Sequence, residues 1–180
     1  MENQQLLERA KSGDKEAYKE FIFNYQHAVE KLVYQCGVHI ADVADVSQEV
    51  FVKLYRSLDQ CNQEFFTTGL YNITLNIIRD YYQEKNKGQE LEAATKLQHN
   101  ASDEKHILNF EEDRELHEAI QNLEENERYP LVLFYFHGLK YEEITEVLDV
   151  SLSTVMDRIM AAKEKMKEEL MKGGGVEYEG

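Results

Sequence analysis

The stretch Leu139-Lys140-Tyr141-Glu142-Glu143-Ile144-Thr145-Glu146-Val147-Leu148-Asp149-Val150-Ser151-Leu152-Ser153-Thr154-Val155-Met156-Asp157-Arg158-Ile159 has the plan of a helix-turn-helix. Ile144, Val147 and Leu148 recur at steps of three and one, which keeps one side of a first helix apolar. Val150 plugs the turn Asp149-Val150-Ser151. Ser151 suits the N-cap of a second helix, which Val155 and Ile159, four apart, anchor to a core. So short a turn sets the second helix roughly crosswise, where its N-terminal side chains can enter a major groove. That geometry leaves Ser153, Thr154, Asp157 and Arg158 facing outward. Two short helices with a polar turn also occur in bundles that never meet nucleic acid, so the pattern alone leaves both readings open.

Outward from this unit, Leu116, Ala119, Ile120 and Leu123 form one helical face. Glu124–Arg128 reads as a charged break. Pro130 fits the first turn of a helix running through Phe136, where a missing N–H costs little. His137-Gly138-Leu139 reads as a turn, and Leu152 to about Met171 as one long helix. These elements make a domain over 112–172, followed by a disordered tail, 173–180. Residues 86–111 lose the periodicity, apart from a short helix expected around Leu91 to Leu97, and read as a flexible linker. A structureless run of this length argues for two domains.

The first half carries four more helical stripes. Leu6, Leu7 and Ala10 open the first; Gly13 suits its left-handed end and Asp14 the N-cap of the second. That second stripe is Ala17, Tyr18, Phe21, Ile22, Tyr25, Val29, Leu32, Val33 and Cys36. Asp42 is placed to cap a third helix with Val43, Val46, Val50, Phe51, Leu54, Tyr55 and Leu58 inward. Asp59 to Thr68 reads as a polar loop, and Leu70, Ile73, Thr74, Ile77, Ile78 and Tyr81 face inward on a fourth helix. The expected fold is all-α: an N-terminal helical bundle over 1–85 plus a C-terminal four-helix helix-turn-helix domain, joined by a flexible linker. One proline and nine glycines in 180 residues agree with long helices.

The net charge is −15, an awkward balance for a DNA-binding chain, because phosphate contacts need Lys and Arg. Residues 112–170, where the helix-turn-helix lies, hold 7 basic and 15 acidic groups. Cys36 and Cys61 form no CxxC pair; Cys36 lies on an apolar stripe and reads as a buried thiol. The six histidines show no metal-ligand spacing. No nucleophile–base pair, phosphate-cradling glycine loop or metal cluster is visible, so an enzyme is not expected, nor any cofactor. No apolar run is long enough for a membrane span, and the polar N-terminus lacks a signal peptide's apolar stretch; a cytoplasmic protein is expected.

The chain resembles the extracytoplasmic-function (ECF) RNA polymerase sigma factors of the sigma-70 family. Three words of the second half carry the likeness: Leu116-His117-Glu118-Ala119-Ile120-Gln121-Asn122-Leu123, Phe136-His137-Gly138-Leu139-Lys140-Tyr141-Glu142-Glu143-Ile144, and Ser153-Thr154-Val155-Met156-Asp157-Arg158. The first half matches independently through Ala10-Lys11-Ser12-Gly13-Asp14-Lys15-Glu16-Ala17-Tyr18, Ala44–Tyr55 and Leu70–Asp80. The resemblance covers about residues 6–85 and 112–170. It implies that 1–85 is region 2, binding core polymerase and the promoter −10 element, and that 112–172 is region 4, reading the −35 element. On that reading Asp45, Gln48, Glu49, Phe51 and Val52 dock on a coiled coil of core RNA polymerase. An acidic face of this kind can meet basic partner residues and set register, although the same face in isolation reads as ordinary solvated surface.

The resemblance further implies that the loop 59–68 cradles a flipped −10 base with Gln60, Asn62, Gln63, Phe66 and Thr67, since amides, hydroxyls and an aromatic suit an unstacked base. Asn72 and Asn76 then follow the strand, and Ser153, Thr154, Asp157 and Arg158 read promoter DNA at −35, Arg being the best guanine reader. The implied partners are core RNA polymerase, promoter DNA and an anti-sigma factor, without membrane insertion. The chain departs from the family where Trp is usual (here Gly69) and where basic residues are frequent (Thr67 or Thr68, the run after Asp80, Met156 and Ala161). These departures keep a second reading open: a sigma-like interaction module that binds polymerase or an anti-sigma factor with weak or no promoter recognition.

Overall fold

A computed structural model describes residues 2–61, 66–87 and 114–174, with Glu2, Asn86, Lys87, Gly173 and Gly174 by backbone only. Every regular element among the described residues is helical: α1 (Glu2–Lys11), α2 (Lys15–Gln35), α3 (Val43–Arg56), α4 (Phe66–Lys87), α5 (Arg114–Gln121), α6 (Glu125–His137), α7 (Tyr141–Leu148) and α8 (Leu152–Gly174). Short 3-10 turns, Ile40–Asp42 and Leu58–Gln60, bracket α3.

Most residues of the expected stripes are buried, but Tyr55, expected inward, is 44% exposed, and Ile22, Tyr25, Ile73 and Tyr81 are half-buried. On α2, Ala17, Tyr18, Phe21, Val29, Leu32 and Val33 are buried, as is Cys36 at its C-terminal cap, and the helix packs on α3 and α4. Asp14 caps α2, its Oδ1 accepting from Glu16 N and Ala17 N at 3.1 Å. Gly13, at φ +101, makes the left-handed step before it. In the second half Ile144, Val147, Val155, Ile159, Ala162 and Met166 are buried, and Ser151 caps α8 by accepting from Thr154 N at 3.2 Å.

Five local expectations change. The segment 124–128 is no break: α6 starts at Glu125, and Pro130 lies inside it. Acidic residues suit the positive N-terminal end of a helix, so the charge that looked like an interruption is the helix start. Asp42 makes no cap bond to α3; its carboxylate accepts from Tyr81 Oη at 2.6 Å, tying α3 to α4, and His39 Nδ1 caps the preceding 3-10 turn instead, accepting from Ala41 N at 3.1 Å. The loop expected over 59–68 is shorter, because α4 begins at Phe66. α4 runs through Lys87, two residues into the expected linker, and α8 runs to Gly174 rather than about Met171. The rest of the linker, its short helix at Leu91–Leu97, and the tail beyond Gly174 lie outside the described residues.

The two halves pack on one another: α4 against α7, and α2 against α5 and α6. Arg128 of α6 is the clasp. Its guanidinium donates to Ile120 O (3.2 Å), Gln121 O (3.0 Å) and Leu123 O (2.6 Å) at the end of α5, and to Cys36 O (3.2 Å) at the end of α2. One cation thus satisfies carbonyls that two helix C-termini leave without intrahelical donors. Gln121 Nε2 adds a bond to Gln35 O at 2.7 Å. The halves approach closely enough that a Cβ on Gly37 would stand 2.5 Å from Gln121 Oε1.

Candidate functional site

Two surfaces hold the residues singled out from the sequence. The first is a broad groove between α3 and α4, about 1310 Å³, lined by Asp45, Gln48, Glu49, Val52, Gln60, Phe66, Asn72 and Asn76. Asp45, Gln48, Glu49 and Val52 are exposed on one side of α3, as their spacing requires. The groove therefore joins the residues assigned to polymerase and those assigned to the −10 strand. Sequence reasoning missed its cations: Lys53 and Arg56 also line it and are exposed. The available signal was their spacing of four from Glu49 and Val52.

Two aromatics depart from expectation. Phe51 is 5% exposed; it belongs to the inward stripe of α3 and lies at the floor of a second groove of about 560 Å³ between α2 and α3. Tyr18, Ile22, Gln48, Val52 and Tyr55 line the same groove. Its ring is thus core, not a contact offered on the surface. Phe66 is 7% exposed, held edge-on by Phe21 at 5.0 Å and Tyr25 at 5.5 Å. In this arrangement its ring has no free face for a base, because burying an aromatic among aromatics outweighs leaving it at a polar rim. Gln60 and Thr67 are exposed; Asn62 and Gln63 lie outside the described residues. The second groove also contains Ser47, whose buried hydroxyl has no hydrogen-bond partner. Periodicity could not single it out, since serine carries no apolar signal.

The second surface is the helix-turn-helix. Asp149 adopts a left-handed conformation, φ 55 and ψ 51, which turns the chain from α7 into α8. Ser153 and Asp157 are exposed at the start of α8. Thr154 is half-buried, its Oγ1 2.7 Å from Ser151 Oγ. Leu152 and Met156 are also exposed here, at 44% and 48%, and offer apolar contact beside the polar residues expected from the sequence. Arg158 is half-buried in a cleft with Arg79, Asn126 and Tyr129.

The two surfaces meet. Asn72 Nδ2 donates to Val147 O at 2.8 Å, and Asn76 Nδ2 donates to Asn72 Oδ1 at 3.1 Å. Arg79 pairs with Glu125 at 2.9 Å. His137 sits between the halves: its Nε2 donates to Gln35 Oε1 at 2.8 Å while its Nδ1 accepts from Tyr71 Oη at 3.1 Å. Both bonds fit a neutral ring, and burial, with Lys31 nearby, pulls the imidazole down to about 3. The Cys36 thiol is fully buried and pushed up to about 12 by that burial, which makes it an unreactive core group. Among the described residues no cluster of metal-ligating side chains occurs, and no helix is long and apolar enough to cross a membrane.

The arrangement matches known proteins. Residues 113–166 match the family model described as Sigma-70, region 4. The chain is 31% identical to the RNA polymerase sigma-H factor of Pseudomonas aeruginosa, over 94% of each. It is 31% identical to the ECF RNA polymerase sigma-E factor of Haemophilus influenzae, over 93% of this chain and 95% of the other. It is 32% identical to the ECF RNA polymerase sigma-E factor of Escherichia coli, over 90% and 91%. Among solved structures, CnrH in complex with the cytosolic domain of CnrY shares the fold with a TM-score of 0.74 at 23% identity, over 97% of this chain and 100% of the other. The sigma factor RpoE in complex with the anti-sigma factor NepR from Bartonella quintana does so with a TM-score of 0.66 at 16% identity, over 87% and 98%.

Proposed function

Because this chain belongs to the ECF RNA polymerase sigma factors, we propose that it binds core polymerase and directs promoter-specific initiation of transcription. The observation that carries this reading is that one groove gathers the α3 face and the α4 asparagines, while a helix-turn-helix presents Ser153 and Asp157 at the start of α8. Region 2 is assigned to 1–85 and region 4 to 112–172. Asp45, Gln48, Glu49 and Val52 engage the polymerase, with Ser47 offering a hydroxyl to a partner group. Gln60, Asn62, Gln63, Thr67, Asn72 and Asn76 follow the −10 strand, with Lys53 and Arg56 meeting its phosphates. Ser153, Thr154, Asp157 and Arg158 read the −35 duplex. Phe51 and Phe66 support these surfaces from beneath.

The protein's part is binding; the chemistry of RNA synthesis belongs to the polymerase. It works in the cytoplasm, where polymerase and template are, and an anti-sigma factor is its expected inhibitor. The acidic region 4 sets a quantitative expectation: alone it binds DNA weakly with a shallow salt dependence, and anchoring to polymerase raises the local concentration of the reading helix. Run-off transcription with purified core polymerase on genomic templates tests the reading. A discrete set of start sites supports it; stable polymerase binding with no start on any template overturns it in favour of the interaction-module reading.

A further inference from the structure

We infer that Gly69 is where the single-stranded −10 segment comes closest to the protein: the strand's sugar–phosphate backbone crosses bare helix there, and a side chain at this position would hold it off. The inference rests on the functional reading above and adds a residue that sets how deeply the strand lies. Gly69 is the fourth residue of α4 and lines the broad groove. Glycine inside a helix weakens it relative to alanine, because its backbone has more freedom to lose. The backbone itself calls for glycine at Gly13, Gly37 and Gly138, which stand at φ +101, +97 and +68. Gly69 has no positive φ, and a Cβ built on it meets no described atom within 4 Å. What a bare position serves there lies outside the chain, and close approach of a ligand to the backbone is the use glycine has left.

The surroundings of Gly69 fit a polyanion. Lys53 and Arg56 of α3 line the same groove and are exposed. The chain passes from Arg56 through the 3-10 turn Leu58–Gln60 into α4, so these cations stand at the end of α3 that leads to Gly69, and the acids Asp45 and Glu49 stand toward its other end. The wall between is pinned: Lys11 Nζ donates to Cys61 O at 2.7 Å, and Ser57 Oγ to Lys53 O at 3.1 Å. Phe66, the aromatic among the groove's lining residues, is 7% exposed, so a strand is held here by phosphate contacts and shape rather than by stacking. A helical side chain leans back over the turn before its own Cα. One at position 69 would cover the first turn of α4, lift the strand, and lengthen its charge contacts with Lys53 and Arg56, which weaken with distance.

The test uses the full-length chain with Gly69→Ala or Gly69→Leu, free and bound to purified core polymerase. Both replacements favour helix, so the melting temperature is expected to rise by about 2–4 °C; a fall would show that the fold itself needs glycine and overturns the inference. Affinity for core polymerase is expected to stay unchanged; a loss that matches the loss of DNA binding would put polymerase at Gly69 and overturns it too. Binding of the polymerase-bound chain to fork-junction DNA with a single-stranded −10 segment is expected to fall about threefold for alanine and about tenfold or more for leucine, as overpacking a close contact does. The loss should vanish on a probe cut back to the −35 duplex. Equal binding of the fork by all three proteins, or an equal loss on the −35 duplex, overturns the inference. The fork is built on a start site from the run-off experiment. If the chain starts at no template, a fluorescent pool of random-sequence single strands replaces it. A size-graded loss on that pool upholds the groove's role while the functional reading fails; equal binding or none overturns both.

Discussion

Asp149 is the only non-glycine residue at positive φ among the described residues. A left-handed conformation costs an L-residue on the order of 1 kcal/mol, less for Asp and Asn than for branched side chains. Asp149→Gly is therefore expected to raise stability by about 0.5 to 1 kcal/mol, and Asp149→Val to lower it by more, both read by thermal unfolding. The residue scale also separates framework from function. Arg158→Ala should reduce promoter affinity of the polymerase-bound protein by about 1–3 kcal/mol and relax preference at one −35 position, with little change in melting temperature. A uniform loss across all promoter sequences would make Arg158 a phosphate contact instead. Phe66 teaches the converse: its chemistry suits base stacking, yet Phe21 and Tyr25 already hold it.

At the scale of elements, α6 shows how charge misleads. Glu125 and Glu127 lie in its first turn and Arg128 turns inward, so a polar stretch is helical for reasons that periodicity does not register. Pro130, sixth of the thirteen residues, stands past the first turn where the sequence placed it and leaves Asn126 O without its intrahelical donor. The helix earns its place through Arg128, which binds the ends of α5 and α2 together. Arg128→Ala is expected to destabilise the protein by about 2 kcal/mol or more, since charge-assisted bonds to partly buried carbonyls are lost together. Arg128→Lys should recover less than half, because an ammonium cannot reproduce the planar fork. Denaturant unfolding checks both; full recovery by lysine would show that charge alone matters.

At the scale of the molecule, His137 couples the packing of the two halves to pH. Its folded value, about 3, lies below the ordinary 6.5, so its contribution is fully present above about pH 6.5 and is lost as pH falls toward 3. The groups that face it are Tyr71 from α4 and Gln35 and Lys31 from α2; none of them offers an anion to a protonated ring. Lowering the pH from 7.5 to 5.5 should weaken the packing of the two halves by about 1 kcal/mol, read by denaturant unfolding at the two pH values. His137→Gln should flatten that dependence. An unchanged pH response in that variant would assign it to other groups, such as the carboxylates of the acidic second half.

The helices, their buried stripes, the Asp14 and Ser151 caps and the helix-turn-helix were legible along the chain, because each follows from interactions among residues within a few turns. The family words pointed to the surfaces for the same reason: Asp45, Gln48, Glu49 and Val52 share a face through helical spacing alone. What only the folded molecule decided is which of those side chains remain available. Asp42 serves α4 rather than its own helix, Phe51 and Phe66 become core, and Asn72 is bound by a carbonyl 75 residues away. These outcomes depend on contacts between distant segments, and no local period or charge pattern encodes how two amphipathic halves share one polar seam.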